Sequence, residues 1–351
     1  MIRKLAGKIK NSSFSKKYLE PILADLLEDG FHFDKTVIGN FKDSYGNNYD
    51  LSAGLRNKIK PGWQAMFDES KQNYIPKASE AKINLIAAKR HIKNLKSSLN
   101  SYGISLNKKS ILEIGCYNGM KTMLLGLEDC SSVTGSDVTF YYEKQSDNQN
   151  LNVDSHLTRL RNSMKTLFDE KQKSNIDSKV VFVEDDITNS ALQEESFDIL
   201  CSWETLEHIT DIENAFSNMR RILKPGGIAF HEYNPFYSLN GGHSLCTLDF
   251  PWGHCRLDEK DFLRYITEIR PDELGLASSF YLNSLNRMTI NNLRTYSSNA
   301  GLKIVALIPF VKKAHLNVYT WQALKDTSRH YPTTEVVDLV SPVVWVIHQK
   351  I

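Results

Sequence analysis

The residues best suited to chemistry fall in two groups. The first is the stretch ILEIGCYNG, Ile111 to Gly119, where an apolar run with one carboxylate, Glu113, enters a tight turn bearing Gly115 and Gly119. Without a Cβ, these glycines let the backbone approach a ligand closely. Asp137 follows 22 residues after Gly115 and can accept hydrogen bonds from two vicinal ribose hydroxyls. Asp185, Asp186 and Ile187 then offer a third set of contacts, suited to an adenine edge. The second group suits proton transfer near neutral pH: His243 and His254, with Asp249 between them as an orienting or basic partner, and His231 next in line.

The elements that must hold these groups alternate in type. Strand patterns cover 110–114, 132–137, 180–184, 198–202, 228–233, 302–308 and 343–348, and helical patterns cover 119–127, 156–173, 212–223 and 289–300. Such alternation predicts parallel strands joined by right-handed crossovers, hence an α/β, doubly wound, Rossmann-like sheet with helices on both faces. Ligands in that architecture lie beyond the carboxyl ends of the strands. A helix between Pro76 and Gly103 is expected to cover one edge. Between Tyr233 and Met288 the alternation fails, and an aromatic, histidine-rich segment with one helical run, 258–269, is placed to act as a lid.

In its core this chain resembles the class I S-adenosylmethionine-dependent methyltransferases. Besides ILEIGCYNG and Asp137, it has FDILCSWETLEH, Phe197 to His208, and RILKPGG, Arg221 to Gly227, in the family's order through roughly residues 108–235. The resemblance implies a seven-stranded sheet whose last strand is antiparallel, with S-adenosyl-L-methionine as cofactor. It places Glu113, Gly115, Cys116 and Gly119 around the methionine part and Asp137, with Val138 beside it, at the ribose. Asp186 and Ile187 fall at the adenine, and Ser202 and Trp203 at the floor. Tyr117 stands where the family usually has a third glycine. NAD is the competing cofactor, but its fingerprint wants GxGxxG, and KPGG is not part of it.

Methyl transfer from a sulfonium mainly requires that an acceptor atom be aligned and water excluded. An alcohol acceptor also benefits from a base, so a lid histidine favours O-methylation of a small polar molecule such as a sugar or glycan precursor. N- or C-methylation of a metabolite or quinone is the alternative within enzymes, and a non-catalytic cofactor-binding protein the alternative outside them. His208, within the LEH pattern, reads as a packing and hydrogen-bonding residue.

The domains expected are an amino-terminal, mainly helical extension, 1–75, the cofactor-binding core, 76–240, the lid, 241–288, and a carboxyl-terminal completion of the sheet, 289–351. With 43 Lys and Arg against 41 Asp and Glu, no global field attracts nucleic acid, and none is expected as a partner. A basic amino end, with Arg3, Lys4, Lys8 and Lys10, allows weak membrane-surface contact. No transmembrane segment or secretory leader is read, and the chain is expected to be cytoplasmic. Five cysteines, an odd number, argue against a disulfide framework. His243, Cys246, His254 and Cys255 match no zinc-finger spacing, carboxylates for magnesium are not evident, and no metal is assigned. The oligomeric state is not legible.

Overall fold

The computed structural model describes residues 31–67, 75–138 and 153–351. The basic amino end, residues 1–30, lies outside them.

A seven-stranded sheet forms the centre. Its strands are β3 (Ser110–Ile114), β4 (Ser132–Asp137), β5 (Val180–Glu184), β6 (Phe197–Trp203), β7 (Leu223–Tyr233), β8 (Leu302–Phe310) and β9 (Val343–Lys350), in the order β5-β4-β3-β6-β7-β9-β8. The first five run parallel, and β9, last in sequence, is antiparallel to both neighbours. The expected architecture is therefore present.

Alternation along each strand sends side chains to two apolar layers. Ile111, Ile199, Cys201 and Phe230 meet the helix α1 (Ala78–Asn100) and α2 (Met120–Gly126) through Leu95, Leu99 and Met123. Leu112, Ile114, Leu200 and Ala229 meet α5 (Ile212–Ile222) and α8 (Ile290–Asn299). Helix α5 shows how the sequence dictates this. Asp211 caps it by accepting from the Asn214 N–H, and Ile212, Ala215, Phe216, Met219 and Ile222 form one buried stripe. The expected helix over 156–173 is instead two, α3 (Val153–Lys165) and α4 (Glu170–Lys179), because Asp169 and Gln172 form a capping box that starts a new helix.

A third core lies away from the sheet. It joins the hairpin β1 (Val37–Lys42) and β2 (Asn48–Ser52), the lid with its helices α6 (Glu259–Ile269) and α7 (Leu274–Asn283), and the segment between β8 and β9 with α9 (Trp321–His330). Phe41 packs edge-on against Tyr265, and Tyr49 stacks on Phe250 at 4.4 Å. Arg56 reaches from the extension to Glu273 with two hydrogen bonds of 2.7 and 2.6 Å, its guanidinium 3.5 Å from the centre of the Trp63 ring. The extension and residues 311–342 are thus built into the lid.

Candidate active site

Strand order reverses between β3 and β6, which opens a crevice beyond their carboxyl ends. Gly115 leaves β3 with φ +70°, and a Cβ on it would stand 2.4 Å from Thr205 Oγ1 in the loop after β6. Only glycine fits there, so the two loops meet at the switch point.

The turn consumes its own amides. Gly115 and Cys116 donate to the Ser136 carbonyl, Tyr117 N–H to Asp137 Oδ2 at 2.6 Å, and Gly119 N–H to the Cys116 carbonyl. They are therefore not displayed for a pyrophosphate, as a dinucleotide fingerprint requires. Tyr117 adopts φ +40°, so it takes the left-handed backbone of the glycine it replaces. Two bonds hold it there: its N–H on Asp137, and its carbonyl accepting from Arg161 Nε at 3.1 Å.

Arg161, on α3, has no signal in the sequence beyond a charge on a helix. Its guanidinium lies 4.4 Å from the Phe182 ring centre, and Nη2 donates to Cys116 Sγ. Cys116 itself is buried.

Carboxylates surround this turn. Glu113 is wholly buried, with Oε2 accepting from Thr122 and Oε1 lacking a hydrogen-bond partner, and burial pushes its pKa up to about 7. Burial also raises Asp137, against the hydrogen bonds from the Tyr117 and Val138 amides. Farther along, Val138, Glu184, Asp185, Asp186, Asn189 and Ala191 line a cavity of about 400 Å³. Asp186 Oδ1 caps Thr188, Asp185 Oδ1 accepts from Ala191 N–H, and Asp185 Oδ2 is buried without a partner. Ile187 turns into the core.

The loop after β6 and the lid meet on the other side of the turn. Glu207 Oε1 accepts from the Asn234 N–H at 3.1 Å, and burial lifts this carboxyl to about 8. His208 Nδ1 lies 2.6 Å from the Ser284 carbonyl, which can only accept, so Nδ1 carries the hydrogen. The His243 ring sits 5.0 Å from that of His208 and 5.7 Å from that of Phe280. Burial lowers the pKa of both histidines, that of His243 well below the usual value, so both are uncharged at neutral pH. Asn286 ties the lid down, with its N–H on the Glu207 carbonyl and its Nδ2 on the Leu206 and Ile209 carbonyls.

The other residues considered for proton transfer lie in internal contacts. His254 is fully enclosed with Nε2 donating to the Phe236 carbonyl, and burial depresses it to about 4. Asp249 is bound to Arg270 and Tyr265 within the lid core. His231 pairs with Ser202 through Nδ1 at 2.8 Å, both inside the sheet layer facing α5 and α8. Trp203 points to the opposite layer, beneath Lys121. His254 is thus engaged by Phe236, and the side chains of Ser202 and Trp203 face the two layers on either side of the sheet. Cys246 and Cys255 bond to backbone carbonyls in the lid core, apart from the His208–His243 pair.

Comparison with known proteins identifies the family. A family model described as a methyltransferase domain matches residues 82–307. Over 152 residues the chain is 28% identical to the mitochondrial ubiquinone biosynthesis O-methyltransferase of Dictyostelium discoideum, covering 42% of each. Over 117 residues it is 27% identical to the 27-O-demethylrifamycin SV methyltransferase of Amycolatopsis mediterranei, covering 33% of this chain and 35% of the relative. The chain thus spans under half the length of these relatives. A solved S-adenosylmethionine dependent methyltransferase from Mesorhizobium loti is similar over 72% of this chain and 96% of its own, with 14% identity and TM-score 0.42.

Proposed function

This chain belongs to the S-adenosylmethionine-dependent methyltransferases, and from that premise we propose that it methylates an oxygen of a small polar molecule, of the class of a sugar or glycan precursor. The observation that carries the proposal is the cluster of Glu207 and His208, from the loop after β6, with His243 of the lid.

The crevice fits the donor in its chemistry. S-adenosylmethionine carries a positive sulfonium, whose methyl group it supplies, together with hydroxyl and amino hydrogens, and it has no phosphate. Glu113 Oε1, with Lys121 3.8 Å away, and Asp185 Oδ2 are buried acceptors without a hydrogen bond, and the amides of Gly115, Cys116, Tyr117 and Gly119 are already used. In this reading Asp137 and Val138 hold the ribose, and Asp185, Asp186 and Ile187 surround the adenine. Glu113, Gly115, Cys116, Tyr117 and Gly119 hold the methionine end, and Arg161 is the cation suited to its carboxylate.

The acceptor lies between Tyr117, whose side chain is exposed, and the lid. There His243 is the lid histidine placed to activate a hydroxyl, as an uncharged imidazole able to take its proton. Phe280 offers a flat apolar face and the histidines offer polar edges, a combination suited to polyols. The names of both relatives above describe methylation at oxygen, which supports that choice of atom. Among the described residues no helix is long and apolar enough to cross a membrane. All five cysteines are buried and unpaired, which supports a cytoplasmic setting.

Isothermal titration of the folded protein with S-adenosylmethionine tests the donor half. Stoichiometric binding is expected, and no detectable heat at protein concentrations suited to micromolar affinity overturns it. Loss of turnover in His243→Ala, with donor binding retained, is expected for the acceptor half.

A further inference from the structure

We propose that Glu207, His208 and His243 bind a divalent transition-metal ion at the acceptor end of the crevice. The inference deepens the reading above, because it rests on the acceptor lying at this cluster.

Three observations carry it. First, each residue offers a ligand atom, and the three atoms lie within 4.8 Å of one another. A tetrahedral ion bonded at about 2.0–2.1 Å holds its ligands roughly 3.3 Å apart, so the closure needed is of side-chain size. Second, Glu207 Oε2 and His243 Nε2 are both buried without a hydrogen-bond partner. Buried polar atoms are rarely left so, and a cation would satisfy both at once. Third, the outer contacts that orient metal ligands are in place. Ser284 holds the Nδ1 hydrogen of His208, which puts the lone pair on Nε2, and the Asn234 amide holds Glu207 Oε1.

The ligand set names the ion class. Two imidazoles and one carboxylate suit zinc and its first-row neighbours better than magnesium or calcium, which prefer all-oxygen sites. Three protein ligands leave a coordination position open, as at catalytic rather than structural zinc sites. The two donors nearest in sequence come from the loop after β6 and the third from the lid, so an ion would also join these elements. In the loaded site the His243 lone pair belongs to the ion, and the ion's charge does the activating that the free imidazole would otherwise do.

The test uses the full-length protein, stripped with a chelator, dialysed, and titrated with Co²⁺ by visible absorption and with Zn²⁺ by calorimetry. One ion per chain is expected, with the absorption of a nitrogen and oxygen site. His243→Ala and, separately, His208→Ala are expected to weaken uptake roughly tenfold or more, with S-adenosylhomocysteine binding unchanged. Circular dichroism checks the fold of each variant, and His243→Ala, which alters a four-residue turn, carries the test on its own. No uptake by the folded protein, or uptake equal in wild type and His243→Ala, overturns the proposal. S-adenosylhomocysteine binding on the same samples reports separately on the methyltransferase reading, so the two can fail independently.

Discussion

The Nδ1 hydrogen of His208 rests on the carbonyl of Ser284, 2.6 Å away across the junction between the loop after β6 and the lid. A carbonyl cannot donate, so this contact fixes the tautomer and aims the Nε2 lone pair. His208→Ala is expected to lower kcat by about 100-fold or more while leaving donor affinity within a few-fold, as suits a group acting at the acceptor. Steady-state kinetics with titration calorimetry checks this, and equal losses in both would place His208 at the donor.

Arg161 holds the Tyr117 carbonyl and the Cys116 sulfur from a helix that precedes β5. Arg161→Ala is expected to weaken donor binding about tenfold, equivalent to about 1.4 kcal/mol, through loss of the turn's support and of the positive charge. Titration with S-adenosylhomocysteine measures it. Unchanged affinity would remove Arg161 from the donor site.

Within the lid, Asp249 accepts from Tyr265 and from the Arg270 guanidinium in a largely buried ion pair. Asp249→Asn removes the nearer carboxylate from Arg270, which keeps Glu273 at 3.7 Å, and is expected to destabilise the protein by about 1.5–3 kcal/mol. Denaturant unfolding followed by circular dichroism reads this. A loss of turnover with no change in stability would instead give Asp249 a chemical role.

His348 is fully buried beside Ser297, and burial depresses its pKa to about 3 from the ordinary 6.5. The unfolded chain then binds the proton that the folded chain refuses. The stability His348 contributes is complete above about pH 6.5 and is lost as pH falls toward 3, with a slope of at most about 1.4 kcal/mol per pH unit. Comparing wild type with His348→Gln by denaturant unfolding across that range isolates the effect. The stability difference between them should move against wild type as pH falls, and a pH-independent difference would contradict it.

The parts of this molecule governed by local pattern were legible in the sequence, and those made by long-range assembly were not. All seven sheet strands could be placed because β3 to β9 combine short apolar runs with turn and helix signals between them. The hairpin β1–β2 was hidden among glycines read as breaks. Its signal was present, in the alternation of Tyr49 and Leu51 and in Gly46, whose φ of +88° lies in the turn that Asp43 organises. Nothing local announces that the extension, the lid and residues 311–342 share one core, since their contacts span more than 200 residues, as Ser44 on Asp261 shows. At the site, Asp137 and the glycine turn were readable by spacing. That Glu207 and His208 would meet His243, and that His254 would turn away onto Phe236, depends on how the lid packs.

The central claim is tested most directly by incubating the full-length protein with methyl-labelled S-adenosylmethionine and a fractionated metabolite and glycan extract, then identifying labelled products by mass spectrometry. The account predicts release of S-adenosylhomocysteine and a labelled methyl ether on a small polyol-like molecule, both abolished in His243→Ala. Folded, donor-binding protein that consumes no donor with any fraction, or that labels only nitrogen or carbon, would contradict it.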